Sequence, residues 1–153
     1  MSDIISVLTF KSTESILATG GTQSWALDRN RAARCDYVVI CRNAHSREAE
    51  GPELHGTAFL IGKVKDVIPS TETPGRWLIL ISEYAEVDYP NEWQGRNPVA
   101  YWKDTDYEDI DFKAQDYQPL TNTAPGLTIS EAKAGLAIGL NIPESAIEII
   151  IRA

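Results

Sequence analysis

The stretch TAFLIGKVKDVIPSTETPGRWLILISEY, residues 57–84, decides the fold. Thr57 to Val64 and Trp77 to Tyr84 are rich in β-branched, aromatic and other apolar residues, a composition that is typical of strands. Ser70 to Gly75 lies between them and has the residue types of a turn. The sequence therefore predicts a β-hairpin in the middle of the chain.

The residues before the hairpin alternate between strand and helix patterns. Ile4 to Phe10 predicts a first strand, and Ser12 to Ala18 predicts a short helix that ends at Gly20-Gly21. Asp28 to Arg34 predicts a second helix. It leads into Tyr37 to Cys41, whose nearly continuous apolar character predicts a central strand that is buried on both faces.

The residues after the hairpin are more irregular. Tyr89 to Tyr101 contains prolines and a glycine, which favours an ordered but irregular connection. Asp104 to Asp116 is strongly acidic and predicts a turn or short helix on a solvated face. Leu120 to Gly126 has the composition of a linker.

The C-terminal segment combines a helix with a closing strand. Thr128 and Glu131 are spaced as a capping box, which predicts a helix from Ile129 to Leu140. Ile147 to Ile151 predicts a strand that either closes the sheet or pairs with another copy. We therefore expect an α+β fold with one domain over residues 1–119. A helix–strand extension, residues 120–153, is expected to pack on that domain.

Composition limits the classes of partner. The 153 residues carry a net charge of -8, which argues against non-specific binding to duplex nucleic acid. The charge is uneven, because residues 29–65 contain seven bases and four acids, and the residues from 79 onward contain five bases and thirteen acids. The longest apolar runs are about five residues, whereas a membrane span needs about 20. No membrane partner is expected.

The cysteines and the N-terminus bear on the cellular compartment. Two cysteines are too few for a disulfide framework, and the N-terminus lacks the pattern of a signal peptide. The sequence therefore predicts a protein of a reducing compartment, with a cytoplasmic location.

Metal binding and thiol chemistry are weak possibilities. Cys35, Cys41, His45 and His55 fall within about twenty residues, but the cysteine spacing differs from that of a zinc knuckle. No helix begins at Cys41 to activate it as a nucleophile. The sequence predicts neither a metal nor a cofactor.

A pocket of aromatic and amide side chains is the strongest candidate site. Its members lie where predicted strands pass into loops, and they are Ser24, Trp25, Arg42, Asn43, Ser82, Tyr84, Trp93, Arg96 and Asn97. Aromatic faces stack on a flat ligand and amides read its edge, which is how proteins hold a single unpaired or flipped base. The alternative for each aromatic is ordinary core packing.

The order of these elements resembles the PUA-like superfamily over about residues 22–102. The resemblance is carried by Ser24-Trp25, by the strand that ends in Arg42-Asn43, and by the hairpin. It implies a small mixed β-barrel with helices packed around it. EVE and YTH domains of this superfamily bind a modified base in an aromatic pocket, and that feature corresponds here to Trp25, Asn43 and Trp93.

Three functions follow as hypotheses. The first is a non-catalytic module that binds a modified nucleobase or nucleotide in single-stranded or flipped-out nucleic acid, with Arg42 and Arg96 meeting phosphate. The second follows from the similarity to ASCH domains and is a small amidohydrolase that acts on a nucleoside derivative through Thr57, Lys63 and Glu83. The third is an acidic protein that docks on a protein partner or mimics nucleic acid through residues 104–116.

Overall fold

The computed structural model describes residues 2–93, 97–120 and 129–147. The chain divides into two compact units, Met1–Thr121 and Asn122–Ala153. The first unit contains β1 (Asp3–Thr9), α1 (Thr13–Thr19), β2 (Gly21–Trp25), α2 (Arg29–Ala33), β3 (Tyr37–Arg42), β4 (Ala58–Pro69), β5 (Trp77–Tyr89), β6 (Val99–Lys103), a 3₁₀ turn (Asp104–Asp106) and β7 (Gln118–Pro119). The second contains α3 (Ile129–Leu140) and a 3₁₀ turn (Glu144–Ala146).

A curled seven-stranded sheet forms a half-barrel in the first unit. The strand order is β2-β5-β4-β3-β1-β6, and β7 adds to β5. The neighbours β1 and β3 are parallel, and every other pair is antiparallel. The mixed α+β class is therefore as predicted, and the curled sheet agrees with a small β-barrel.

The hairpin of β4 and β5 is the longest pairing in the sheet. Its register runs from Ala58 opposite Tyr89 to Pro69 opposite Trp77, with bulges along the way. This confirms the predicted hairpin and extends both strands beyond it. Gly62 is needed at its centre, because a Cβ there would lie 2.6 Å from Ile81 Cγ2.

The central position of β3 is also confirmed. Val38 and Ile40 pack into one hydrophobic cluster, and Val39 and Cys41 pack into another on the opposite face. Because successive side chains of a strand point to opposite faces, an unbroken apolar run is what a doubly buried strand requires.

Three of the strands, β2, β6 and β7, were not predicted. Residues 99–103 form β6 along β1, although Tyr89 to Tyr101 was expected to be irregular, and the partner that β1 offers overrides the weak local pattern. β2 begins directly at the predicted helix stop. It fits there because Gly21 has no Cβ, which would otherwise lie 1.9 Å from the carbonyl oxygen of Ile79.

The helices follow their local signals. Ser12 and Asp28 accept hydrogen bonds from backbone N–H groups at the starts of α1 and α2. α3 has the predicted bounds. The predicted capping residue Thr128, most of the linker at 120–126, and residues 148–151 of the predicted closing strand lie outside the described residues. None of the described helices is long and apolar enough to cross a bilayer.

Candidate functional site

A groove of about 520 Å³ opens where β1 and β3 end side by side. Its apolar wall is formed by Leu8, Phe10 and Trp25. Its polar wall is formed by Lys11, Ser24, Asn43, Glu72 and Arg76. Crevices at the carboxyl ends of parallel strands are common ligand sites, because neighbouring chains diverge there. The volume lies within the range of small-molecule pockets.

Ser24 reaches the groove through an irregularity of β2. The pairing with β5 shifts between Gln23 and Trp25, and Ser24 at this bulge has a φ of 76°, which side-chain-bearing residues rarely adopt. Its hydroxyl lies 3.0 Å from the Ser70 hydroxyl and donates to Glu72 Oε2 at 3.2 Å. A bulge of this kind aims one side chain away from the regular strand.

Glu72 is the only carboxylate in the groove among the described residues. It pairs with Lys11 and accepts a 3.2 Å hydrogen bond from Gln23 Nε2. The Lys11 ammonium, assisted by hydrogen bonds from Ser24 and Gln23, holds the pKa of Glu72 below its usual value. Glu72 is therefore an ionised acceptor at neutral pH and suits ligand N–H groups.

Gln23 fixes the tip of the hairpin beneath the groove. Its Oε1 accepts from the backbone N–H and the hydroxyl of Thr71, both at 2.9 Å. Gln23 is buried, and its bonds to Thr71, Ser70 and Glu72 hold the hairpin tip and the Glu72 carboxylate in place.

Trp25 contributes little exposed surface. Its side chain belongs to the hydrophobic core, with 8% of the residue exposed, and its Nε1–H donates to Thr22 Oγ1 at 3.0 Å. Core packing therefore accounts for most of its surface, and only an edge can meet a ligand in the groove.

Asn43 is held at the end of β3 from both sides. Its backbone N–H donates to Thr9 O at 2.8 Å, and its side-chain Oδ1 accepts from the His45 N–H at 3.1 Å. This Asx turn leaves the amide NH₂ available as a donor. The following loop is tied by stacked His45 and His55 rings, 3.7 Å apart, where burial and the neighbouring imidazole lower the pKa of His55.

Arg42 lies in the interior and not on the ligand-facing surface. Its side chain is 0% exposed, its Nε donates to Glu53 Oε2 at 3.0 Å, and its Nη1 donates to the carbonyl oxygens of Lys11 at 2.6 Å and Thr9 at 3.3 Å. The guanidinium stacks on the Phe59 ring at 4.1 Å. Arg42 therefore fixes the ends of β1 and β3 from inside and is not placed to reach a phosphate.

The remaining pocket candidates are not all in the groove. Ser82 is exposed on β5, and Tyr84 is partly buried farther along it, roughly 20 Å from Trp77, the partner of Trp25. Trp93 packs against a hydrophobic cluster beside Gly56, and Asn97 is exposed. Arg96 lies outside the described residues.

The three residues of the amidohydrolase hypothesis do not all lie together either. Lys63 and Glu83 are cross-strand partners and form a 3.0 Å ion pair, with the ammonium 4.6 Å from the Tyr117 ring centroid. Thr57 precedes β4 by one residue, so it lies roughly 20 Å along the strand from Lys63. A single substrate bond cannot contact all three residues.

The thiols and imidazoles do not converge. Cys35 and Cys41 are free and buried. Cys35 precedes β3 by two residues and Cys41 lies near the other end of that strand, and burial raises their pKa values to about 11 and about 12. Within the described ranges, no group of three or more His, Cys, Asp or Glu side chains could hold a metal ion.

Sequence reasoning missed eight residues that line the groove, which are Leu8, Thr9, Phe10, Lys11, Gln23, Glu72, Thr73 and Arg76. Phe10 and Lys11 follow β1, and Glu72 and Arg76 belong to the hairpin turn. The unusually polar turn was the one available signal, because its length and charge exceed what a hairpin needs. Local sequence patterns did not predict the contact between this hairpin turn and β2.

Comparison with protein-family models, with curated proteins and with solved structures found no match for this chain.

Proposed function

We propose that the chain is a non-catalytic, PUA-like binding module that recognises a modified nucleobase or nucleotide in this groove. The ligand is single-stranded or flipped out of a duplex. The observation that carries the proposal is that Ser24, Trp25 and Asn43, expected from sequence to form one pocket, line one groove of suitable volume. Sequence spacing alone does not require them to meet.

The chemistry of the groove supports a heterocycle as the ligand. Leu8 and Phe10 offer apolar surface for a ring, while the Asn43 amide donates and the Glu72 carboxylate accepts hydrogen bonds at its edge. A base with both a carbonyl and an N–H on one edge satisfies both groups. Stacking on aromatic surface is worth about 1–3 kcal/mol per base.

Arg76 takes the phosphate role in this proposal. Its side chain is exposed at the groove, and its Nη1 donates to the Ser24 carbonyl at 3.2 Å, which orients the guanidinium. The remaining N–H groups fit a phosphate in a bidentate arrangement. With a net charge of -8, the chain has little general affinity for phosphate backbones, so recognition depends on the groove.

Fluorescence titration tests the proposal. The protein is titrated with modified and unmodified nucleosides, their 5′-monophosphates and short single strands, and quenching of its tryptophans is followed. Saturable quenching by one class of ligand is expected. A flat response over the whole panel would overturn the proposal.

Two variants locate the site without disturbing the core. Ser24→Gly removes the hydroxyl and accepts the positive φ, so it should weaken nucleosides and nucleotides alike. Arg76→Gln should weaken nucleotides about tenfold or more and leave nucleosides unchanged. Arg47→Gln, at an exposed arginine outside the groove, is the matched control. If that control weakens nucleotides as much as Arg76→Gln does, the groove is not the site.

A further inference from the structure

A second cavity, of about 320 Å³, lies where the end of α2 meets β6 and the start of β1. Three cationic side chains line it, those of Arg31, Arg34 and Lys103, together with the carboxylates of Asp3 and Asp106. We refer to it as the arginine cavity. Three cations and two carboxylates give it a net charge of +1, in a chain whose net charge is -8. A cleft with an excess of one sign of charge concentrates ligands of the opposite sign.

Both carboxylates of the arginine cavity are engaged by Lys103. Asp3 pairs with Lys103 Nζ, and Asp106 Oδ2 accepts a hydrogen bond from the Lys103 backbone N–H at 2.7 Å. The guanidinium groups of Arg31 and Arg34 form no ion pair with the residues that the structure describes. The arginine cavity thus presents two guanidinium groups that no described carboxylate contacts.

The two arginines are placed to act together. The guanidinium carbon of Arg31 lies 4.0 Å from the centroid of the Tyr101 ring, a cation–π contact that holds the side chain in place. Stacking uses the face of the guanidinium and leaves the N–H groups at its edge free to bind oxygen. Arg34 follows three residues later, at the end of α2, so the two side chains are neighbours. Like charges at this spacing repel each other, and an anion bound between them removes that cost.

An exposed aromatic ring lies beside the arginines. Trp102 lines the arginine cavity and is 39% exposed, although tryptophan is on average a highly buried residue. Its Nε1–H donates to Ser6 Oγ at 3.0 Å, which fixes the orientation of the indole. A ring that is held in place and partly open to solvent offers a face on which a flat organic group can pack.

We propose that the arginine cavity binds a phosphate monoester of a small aromatic compound. Arg31 and Arg34 bind the phosphate oxygens, and the aromatic group packs on Trp102. A phosphate monoester carries up to two negative charges and several acceptor oxygens, so it can engage both guanidinium forks, whereas a carboxylate can neutralise only one of them. The arginine cavity and the groove lie at opposite ends of β1, and this assignment does not depend on the function proposed for the groove.

Calorimetric titration with phenyl phosphate tests this assignment. We expect saturable binding of one molecule per chain, and about tenfold weaker binding for each of Arg31→Gln and Arg34→Gln. Both side chains are exposed, so circular dichroism should show that the variants keep the fold. Binding should also weaken as the pH falls below about 6, because the phosphate then takes up a second proton and loses one charge.

The aromatic part of the ligand has its own test. Inorganic phosphate should bind more weakly than phenyl phosphate, since it has no ring to pack on Trp102. Trp102→Leu should reduce this difference and leave the affinity for inorganic phosphate nearly unchanged. Equal affinities of the two ligands for the unsubstituted protein would overturn the assignment to an aromatic phosphate monoester.

Two control variants separate this site from general charge attraction and from the groove. Arg47→Gln removes an exposed arginine outside the arginine cavity, and Arg76→Gln removes the arginine of the groove. Both should leave the affinity for phenyl phosphate unchanged. Weakening by either control to the same extent as by Arg34→Gln, or no binding of phenyl phosphate, would overturn the proposal.

Discussion

Removing the charge of Glu53 gives the sharpest test of how the site is held together. The Arg42 side chain has no exposed surface, and Glu53, which is 25% exposed, is the acid paired with it. Removing one partner of a buried ion pair costs about 3–5 kcal/mol, because the other charge stays in a poorly solvated place. Gln keeps an oxygen that can accept from Nε. We therefore expect Glu53→Gln to lower the free energy of unfolding by about 3 kcal/mol.

The assay is urea and thermal unfolding followed by tryptophan fluorescence and circular dichroism. For a chain of this length, a loss of about 3 kcal/mol lowers the Tm by about 6–12 °C. The matched control is Glu83→Gln, which breaks the 3.0 Å pair with Lys63, where both side chains are more than one third exposed. An exposed pair is worth about 0–1 kcal/mol. If Glu53→Gln costs no more than Glu83→Gln, the reasoning about a buried charge is refuted.

Three further outcomes follow from packing and from titration. Gly62→Ala places a methyl 2.6 Å from Ile81 Cγ2, so it should cost about 1–3 kcal/mol in urea unfolding at neutral pH. The buried thiols of Cys35 and Cys41 have raised pKa values, so the folded state resists their ionisation. Unfolding stability should fall as pH rises above the ordinary thiol pKa of 9.0, and the Cys35→Ala/Cys41→Ala double variant should show a shallower fall. The pKa of His55 is lowered, so stability should instead decline as pH falls below about 6.5, and His55→Gln should reduce that decline in a pH series of thermal melts.

The parts of the fold that local patterns encode were predictable. The unbroken apolar run of β3 predicts burial on both faces, and the hairpin of β4 and β5 needs only two strand patterns and a turn. The parallel pairing of β1 with β3 was not predictable in this way. The pairing of β1 with β6 joins Ile4 to Trp102, nearly a hundred residues away, and no local signal encodes such a contact.

The same distinction between local patterns and long-range contacts applies to the candidate site. Ser24, Trp25 and Asn43, which line the groove, were predicted as a group because polar and aromatic residues at strand ends are frequent ligand contacts. Glu72 and Arg76 were missed, because their place in the groove depends on the hairpin tip folding over β2. Arg42 was expected to meet phosphate, which requires an exposed side chain, but it is buried. Its burial depends on Glu53, which follows eleven residues later across an irregular loop.

The buried Arg42 supports the groove from the interior. Its Nη1 donates to the carbonyl oxygen of Lys11, which lines the groove, while its Nε donates to Glu53 and its guanidinium covers the Phe59 ring. A lysine could not replace it, because a single ammonium cannot hold two backbone carbonyls and a carboxylate in one plane while stacking on a ring. The geometry of the groove therefore depends on the planar fork of this one side chain.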